Sequence, residues 1–199
     1  MPDAAGTAAG TAAADADEAL MRRFARGEAA AFDALYRRHE MGVWRFIRRS
    51  VASQAIADEL MQDVWFAVVQ AAPRYQPSAR FTTWLYTLAR HRVIDAYRRA
   101  RPQQSLDAPD ADGTPLVERL ANDCEDEPLQ HCAQDEQSAA LLQALAALPG
   151  EQREAFLLQA EGGLAVDEIA AATGVGFETA KSRLRYARAR LQQALREHA

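Results

Sequence analysis

The sequence predicts an all-α protein made of two small helical domains joined by an acidic linker, and three observations carry that expectation. Ala, Leu, Arg, Glu and Gln dominate, while alternating runs of Val, Ile, Thr and Tyr bounded by turns are missing. Apolar residues recur at spacings of three and four through two separate stretches. Between those stretches lies an acidic segment containing Pro102, Pro109, Pro115 and Pro128 and few large apolar residues. A chain of 199 residues has material for one ordinary domain or two small ones. No apolar run approaches the roughly 20 residues that span a bilayer, and the Ala-rich start lacks the Leu-rich core and basic lead of a signal peptide. The expectation is a cytoplasmic protein without membrane insertion.

Residues 1–17 are almost entirely Ala, Gly, Thr and Asp, too little apolar surface to offset ordering entropy, and read as a disordered tail. The first domain, 18–101, opens with Leu20 and Phe24, then Phe32, Leu35, Tyr36 and His39, then Val43, Trp44 and Ile47, which describe two or three packed helices. A stronger helix starts near Ser53, with Ile56, Leu60, Val64, Ala67 and Val68 as its inward stripe and Asp58, Glu59, Gln62 and Asp63 mainly outside it. Pro73 stops that helix, and a loop from Pro73 to Arg80 leads through Phe81 into a helix from Thr82 to about Arg99.

The linker, 102–136, holds Arg119 against ten acids, with Cys124 and Cys132 as free thiols in a reducing compartment. In the second domain, 137–199, Leu141, Leu142, Leu145 and Leu148 make one helix, closed by Pro149-Gly150. Glu151 to Gln159 make another. A short helix from Val166 to Ala172 meets a turn at Thr173 to Gly176, where Gly174 suits a helix end of positive φ. The last helix runs from Phe177 to about Arg196.

Charge is distributed unevenly. The first domain carries 15 Arg against eight acids, whereas the whole chain is −5. Nucleic-acid binding follows local patches, so the acidic total does not exclude it. Arg74, Tyr75, Arg80, Phe81, Trp84, Tyr86, Arg90, His91, Arg92, Tyr97, Arg98 and Arg99 fall within one short span. Unpaired bases stack on aromatic faces while guanidinium groups meet their phosphates, so this mixture suits single-stranded DNA better than duplex. Phe81 and Leu85 are expected in the core, with Tyr75 and Trp84 the better stacking candidates.

In the second domain Val166 to Ala187 reads as a helix-turn-helix, with Ile169 and Ala170 inward and Val175 between the helices. Phe177, Ala180, Leu184, Ala187 and Leu191 form an inward stripe on the last helix. Glu178, Thr179, Lys181, Ser182, Arg183, Arg185 and Arg188 are left on outer faces, from which the N-terminal half of the helix can enter a major groove.

Ala57-Asp-Glu-Leu-Met-Gln-Asp-Val-Trp, Phe81-Thr-Thr-Trp-Leu-Tyr-Thr-Leu-Ala-Arg-His-Arg-Val-Ile-Asp-Ala-Tyr-Arg-Arg and the helix-turn-helix occur in that order. This combination resembles the extracytoplasmic-function (ECF) subfamily of sigma-70 type RNA polymerase sigma factors, over roughly residues 18–100 and 137–196. The resemblance implies a region two that binds core RNA polymerase through Asp58, Gln62 and Asp63. It also implies that Tyr75, Arg80, Trp84, Arg90, His91 and Arg98 capture the minus-ten element of promoter DNA, and that the last helix reads the minus-thirty-five element as duplex. His91 stands where the family often carries Asn. An anti-sigma factor is a further partner the resemblance implies. In the family the linker threads through polymerase channels, where its carboxylates could mimic phosphates; a plain solubilising tether accounts for them equally well.

Other readings fare worse. A stand-alone helix-turn-helix regulator of duplex DNA would have no need of so many arginines among aromatics in its first domain. An enzyme with Asp58, Glu59, Asp63 and His91 as metal ligands lacks any Glu-x-x-His or His-Glu-x-x-His spacing. Cys124, His131 and Cys132 offer only three ligands for zinc. No enzyme activity, metal or cofactor is expected.

Overall fold

The computed structural model describes residues 17–100 and 136–197, and all regular structure among them is helical. Residues 1–16 and 101–135, including most of the expected tail and linker with Cys124, His131 and Cys132, lie outside the described residues. Helix α1 spans residues 17–25. It is followed by α2 (Ala29–Arg48), α3 (Gln54–Ala71), a 3-10 turn at Ala72–Arg74 and α4 (Phe81–Ala100). The second unit consists of α5 (Glu136–Ala146), α6 (Gly150–Ala160), α7 (Val166–Thr173) and α8 (Phe177–Glu197).

Asp17, the last residue of the expected tail, belongs to α1 and is buried. Its carboxylate pairs with Arg38 and lies 2.9 Å from His39 Nε2. The neighbouring Glu18 accepts the backbone N–H of Phe81 and so satisfies one of the orphan donors at the start of α4. Neither role is local, since each partner lies more than 20 positions away in sequence.

The core of the first unit is built from period-four stripes. Phe81, Leu85, Ala89 and Val93 line one face of α4, and Leu35, Val43, Phe46 and Ile47 face them from α2. The Ser53 hydroxyl caps α3 by accepting from the Ile56 N–H at 3.3 Å. Leu60, Val64, Ala67 and Val68 are buried as the periodicity predicts, but Ile56 is 39% exposed. It lies in the first turn of α3. Trp65, absent from the predicted stripe, is 5% exposed and packs against Phe32 and Tyr36 at ring separations of 5.8 and 4.9 Å. Truncating such a ring costs about 3–5 kcal/mol.

In the second unit Leu145 and Leu148 pack on Ala187 and Leu191. Gly174 ends α7 at φ 72°, the left-handed geometry the sequence calls for. Phe177, predicted to begin the inward stripe of α8, is instead 50% exposed, and the buried stripe starts at Ala180. The main core is continuous across both units, with Tyr86 of α4 in the same cluster as Leu157, Leu158, Leu164 and Ile169.

Candidate nucleic-acid interface

The turn Ala72–Arg74 and the loop after it fold the chain back so that Tyr75 meets the start of α4. Its ring lies 5.3 Å from Trp84 and 6.3 Å from Phe81. The Tyr75 hydroxyl is buried without a hydrogen-bond partner among the described residues. Burial, reinforced by the Glu18 carboxylate, pushes the phenol up to about 12. Tyr75 therefore turns its polar end inward, and Trp84 is half-buried beside it. Arg80 is exposed next to this aromatic pair. Phe81 and Leu85 are core, as expected.

Arg90 and the exposed His91 follow along α4, and Arg98, paired at 3.8 Å with Asp95, lies about 21 Å beyond Trp84 at 1.5 Å per residue. The structure thus brings Tyr75, Arg80 and Trp84 together and strings Arg90, His91 and Arg98 out beyond them. Tyr86 does not join this surface. It is fully buried and its hydroxyl donates to the Glu161 carbonyl at 2.6 Å, because position 86 falls on the side of α4 that meets the second unit.

Several cations of the cluster already have carboxylate partners. Arg90 Nε donates to Glu154 at 2.8 Å, and Arg80 to Glu168 at 3.3 Å. Burial pushes the Glu154 carboxyl above the ordinary carboxylate range, partly offset by Arg90 and Arg183.

On α8, Glu178, Thr179, Lys181, Arg185 and Arg188 are exposed, and the Ser182 hydroxyl donates to the Thr179 carbonyl at 2.9 Å. The Arg185 guanidinium lies over the exposed Tyr186 ring at 4.9 Å, and Arg188 donates to Gln159. Arg183 departs from the expected outer face. Its side chain is 17% exposed and pairs with Glu151 at 2.5 Å, because it sits on the flank of α8 nearest α6. The exposed aromatics Phe177 and Tyr186 were not singled out by periodicity as part of this face, which reports what is buried and not what an exposed ring is for.

The outer face of α3 is a third surface. Asp58, Glu59 and Gln62 are exposed and Asp63 is partly so. The Trp44 indole N–H donates to Asp58 at 3.2 Å. Phe66, 63% exposed, and Val69 continue the same face at helical spacing and were missed because an apolar residue in a helix reads as core.

Among the described residues no group of three His, Cys, Asp or Glu side chains could hold a metal ion, and no helix is long and apolar enough to cross a membrane.

Two sequence families match the two units: Sigma-70 region 2 over residues 35–103 and Sigma-70, region 4 over residues 138–191. The chain is 32% identical to the RNA polymerase sigma factor CarQ of Myxococcus xanthus, covering 89% of this chain and 96% of that protein. It is 35% identical to the ECF RNA polymerase sigma factor RpoE of Cereibacter sphaeroides, covering 88% and 92%. The fold is also that of the sigma factor RpoE of Bartonella quintana, solved in complex with the anti-sigma factor NepR, at a TM-score of 0.60 and 22% identity over 83% of this chain and 96% of that one. The chain belongs to the ECF type of sigma-70 family sigma factors. It is accordingly a subunit that binds core RNA polymerase and directs promoter-specific initiation.

Proposed function

We propose that the three surfaces divide this work between them. The outer face of α3 binds core polymerase through Asp58, Gln62 and Asp63, with Phe66 and Val69 adding an apolar centre to an acidic rim. An exposed ring flanked by carboxylates is the composition of a binding hot spot on a basic partner. Tyr75, Arg80, Trp84, Arg90, His91 and Arg98 hold the opened minus-ten strand, bases on rings and phosphates on guanidinium groups. Glu178, Thr179, Lys181, Ser182, Arg185 and Arg188 read the minus-thirty-five duplex from α8. Arg183 joins them once it leaves Glu151. The domains divide at residues 18–101 and 137–199, with 102–136 as the connection between them.

The protein catalyses no reaction of its own and acts in the cytoplasm, where the polymerase is. An anti-sigma factor holds it inactive, a reading supported by the Bartonella quintana sigma factor, which shares this fold and was solved bound to the anti-sigma factor NepR. The observation that carries the reading is the pairing of an aromatic and basic α4 with a helix-turn-helix whose second helix presents donors outward. The test is to assay Asp63→Ala and Arg185→Ala for core polymerase binding and for upstream promoter protection. Asp63→Ala should lose polymerase binding, and Arg185→Ala should lose protection of the upstream element by the assembled holoenzyme. Unchanged behaviour of both variants would remove these assignments.

A further inference from the structure

The buried side of α8 fixes which of its side chains face outward. Ala180, Leu184, Ala187 and Leu191 are buried, and at about 100° per residue they fall within about 60° of one another. Ser182 lies opposite them, with Arg185 and Tyr186 about 50° to either side of the outward direction. Phe177, half-exposed in the first turn, sits about 130° from that direction, close to the buried stripe. Tyr186 is therefore a large ring, 51% exposed, on the face that presents donors outward.

Its neighbour is held against it. Consecutive helical residues diverge by about 100° and do not normally meet. Here the Arg185 guanidinium folds over the Tyr186 ring, 4.9 Å from its centroid, and Nη2 donates to the phenol oxygen at 3.2 Å. A ring face and a hydroxyl together hold the planar fork in one orientation. The neighbouring donors are held differently: Lys181 lies 3.6 Å from Glu178, Arg183 pairs with Glu151, and Arg188 donates to Gln159. Among the described residues Arg185 has no carboxylate partner, so its charge is not offset.

The phenol takes one of the guanidinium's N–H donors and leaves an edge free for the two parallel bonds that guanine O6 and N7 accept in the major groove. Beside that edge the exposed Tyr186 ring offers apolar carbon, and the apolar mark in the same groove is the C5-methyl of thymine. Given the assignment of α8 to the minus-thirty-five duplex, on which this rests, we propose that Tyr186 is a specificity-determining residue of upstream recognition. It fixes Arg185 on a guanine and covers the methyl of a thymine in an adjacent base pair. The 4.9 Å between guanidinium and ring lies between one and two base-pair steps of about 3.4 Å, so the two bases are neighbours.

Holoenzyme assembled from core polymerase and the full-length chain is challenged with promoter fragments randomised across the upstream element. The bound sequences are read for the wild type, Arg185→Ala, Tyr186→Phe and Tyr186→Ala. The wild type should select a guanine next to a thymine. Replacing that thymine by uracil removes only the methyl and should weaken binding about fourfold. Tyr186→Phe keeps the ring, so it should keep the uracil effect while lowering the preference for guanine. Tyr186→Ala should bind thymine and uracil alike and lower the guanine preference on the order of tenfold. Tyr186 is half-exposed, so urea midpoints equal to the wild type separate recognition from folding. A wild type indifferent to the methyl, or a Tyr186→Ala chain that selects the same bases with the same uracil effect, overturns the role of Tyr186. If Arg185→Ala also leaves the selected bases unchanged, the assignment of α8 to the upstream duplex fails with it; if Arg185→Ala alone relaxes them, that assignment stands.

Discussion

Replacing Phe66 by alanine should weaken polymerase binding while leaving the fold intact, and replacing its neighbour Trp65 should do the reverse. Phe66 is 63% exposed. On a side chain of roughly 200 Å² this leaves about 125 Å² to be covered by a partner, and at about 25 cal/mol per Å² that surface has an upper value near 3 kcal/mol. Ordering costs and incomplete coverage reduce it to about 1.5 kcal/mol, roughly a tenfold rise in Kd. Trp65 is 5% exposed and held by Phe32 and Tyr36, so Trp65→Ala removes core packing at a cost of about 3–5 kcal/mol. Urea denaturation and titration of labelled chain with core polymerase read the two effects. A Phe66→Ala chain that binds polymerase as the wild type does, or unfolds at much lower urea, would refute the reasoning.

Gly174→Ala should destabilise the chain by about 1 kcal/mol, because φ 72° disfavours a Cβ although space is open there, and Gly174→Asn should cost less; equal urea midpoints for both variants and the wild type would contradict this. The Tyr75 phenol is raised to about 12, so the folded state keeps its proton where the unfolded chain loses it. The stability this contributes is complete below the unfolded value near 10 and is lost as pH rises through about 12. Tyr75→Phe should flatten that part of the alkaline unfolding curve, and an unchanged curve would count against a buried hydroxyl.

Local physics made most of the helices legible. Pro73 and the loop to Arg80 placed the start of α4 within one residue, and Gly174 marked the turn of the helix-turn-helix. Periodicity was less informative at helix ends, where Ile56 and Phe177 sit on the apolar stripe yet are exposed in the first turns of their helices. The cluster of rings and arginines proposed for DNA was legible as composition and less so as geometry. Tyr86 looked like one more ring among arginines until the second unit covered it, and Tyr75 turns its hydroxyl into the core.

The seam between the units was hidden because Arg90 and Glu154 are 64 positions apart and Arg45 and Glu161 are 116 apart, distances over which no helical spacing rule applies. Gly42 carried the one local signal. A glycine in the middle of an otherwise strong helix implies that something approaches closely there.

The central claim, that this chain is the promoter-selecting subunit of a polymerase, is tested most directly by transcription in vitro from genomic fragments with start sites mapped. Core polymerase alone, the chain alone and the two mixed are compared. The account predicts discrete start sites from the mixture only, each preceded by a shared pair of upstream elements. Duplex binding by the chain alone, with the pattern of initiation by core polymerase unchanged on mixing, would contradict it.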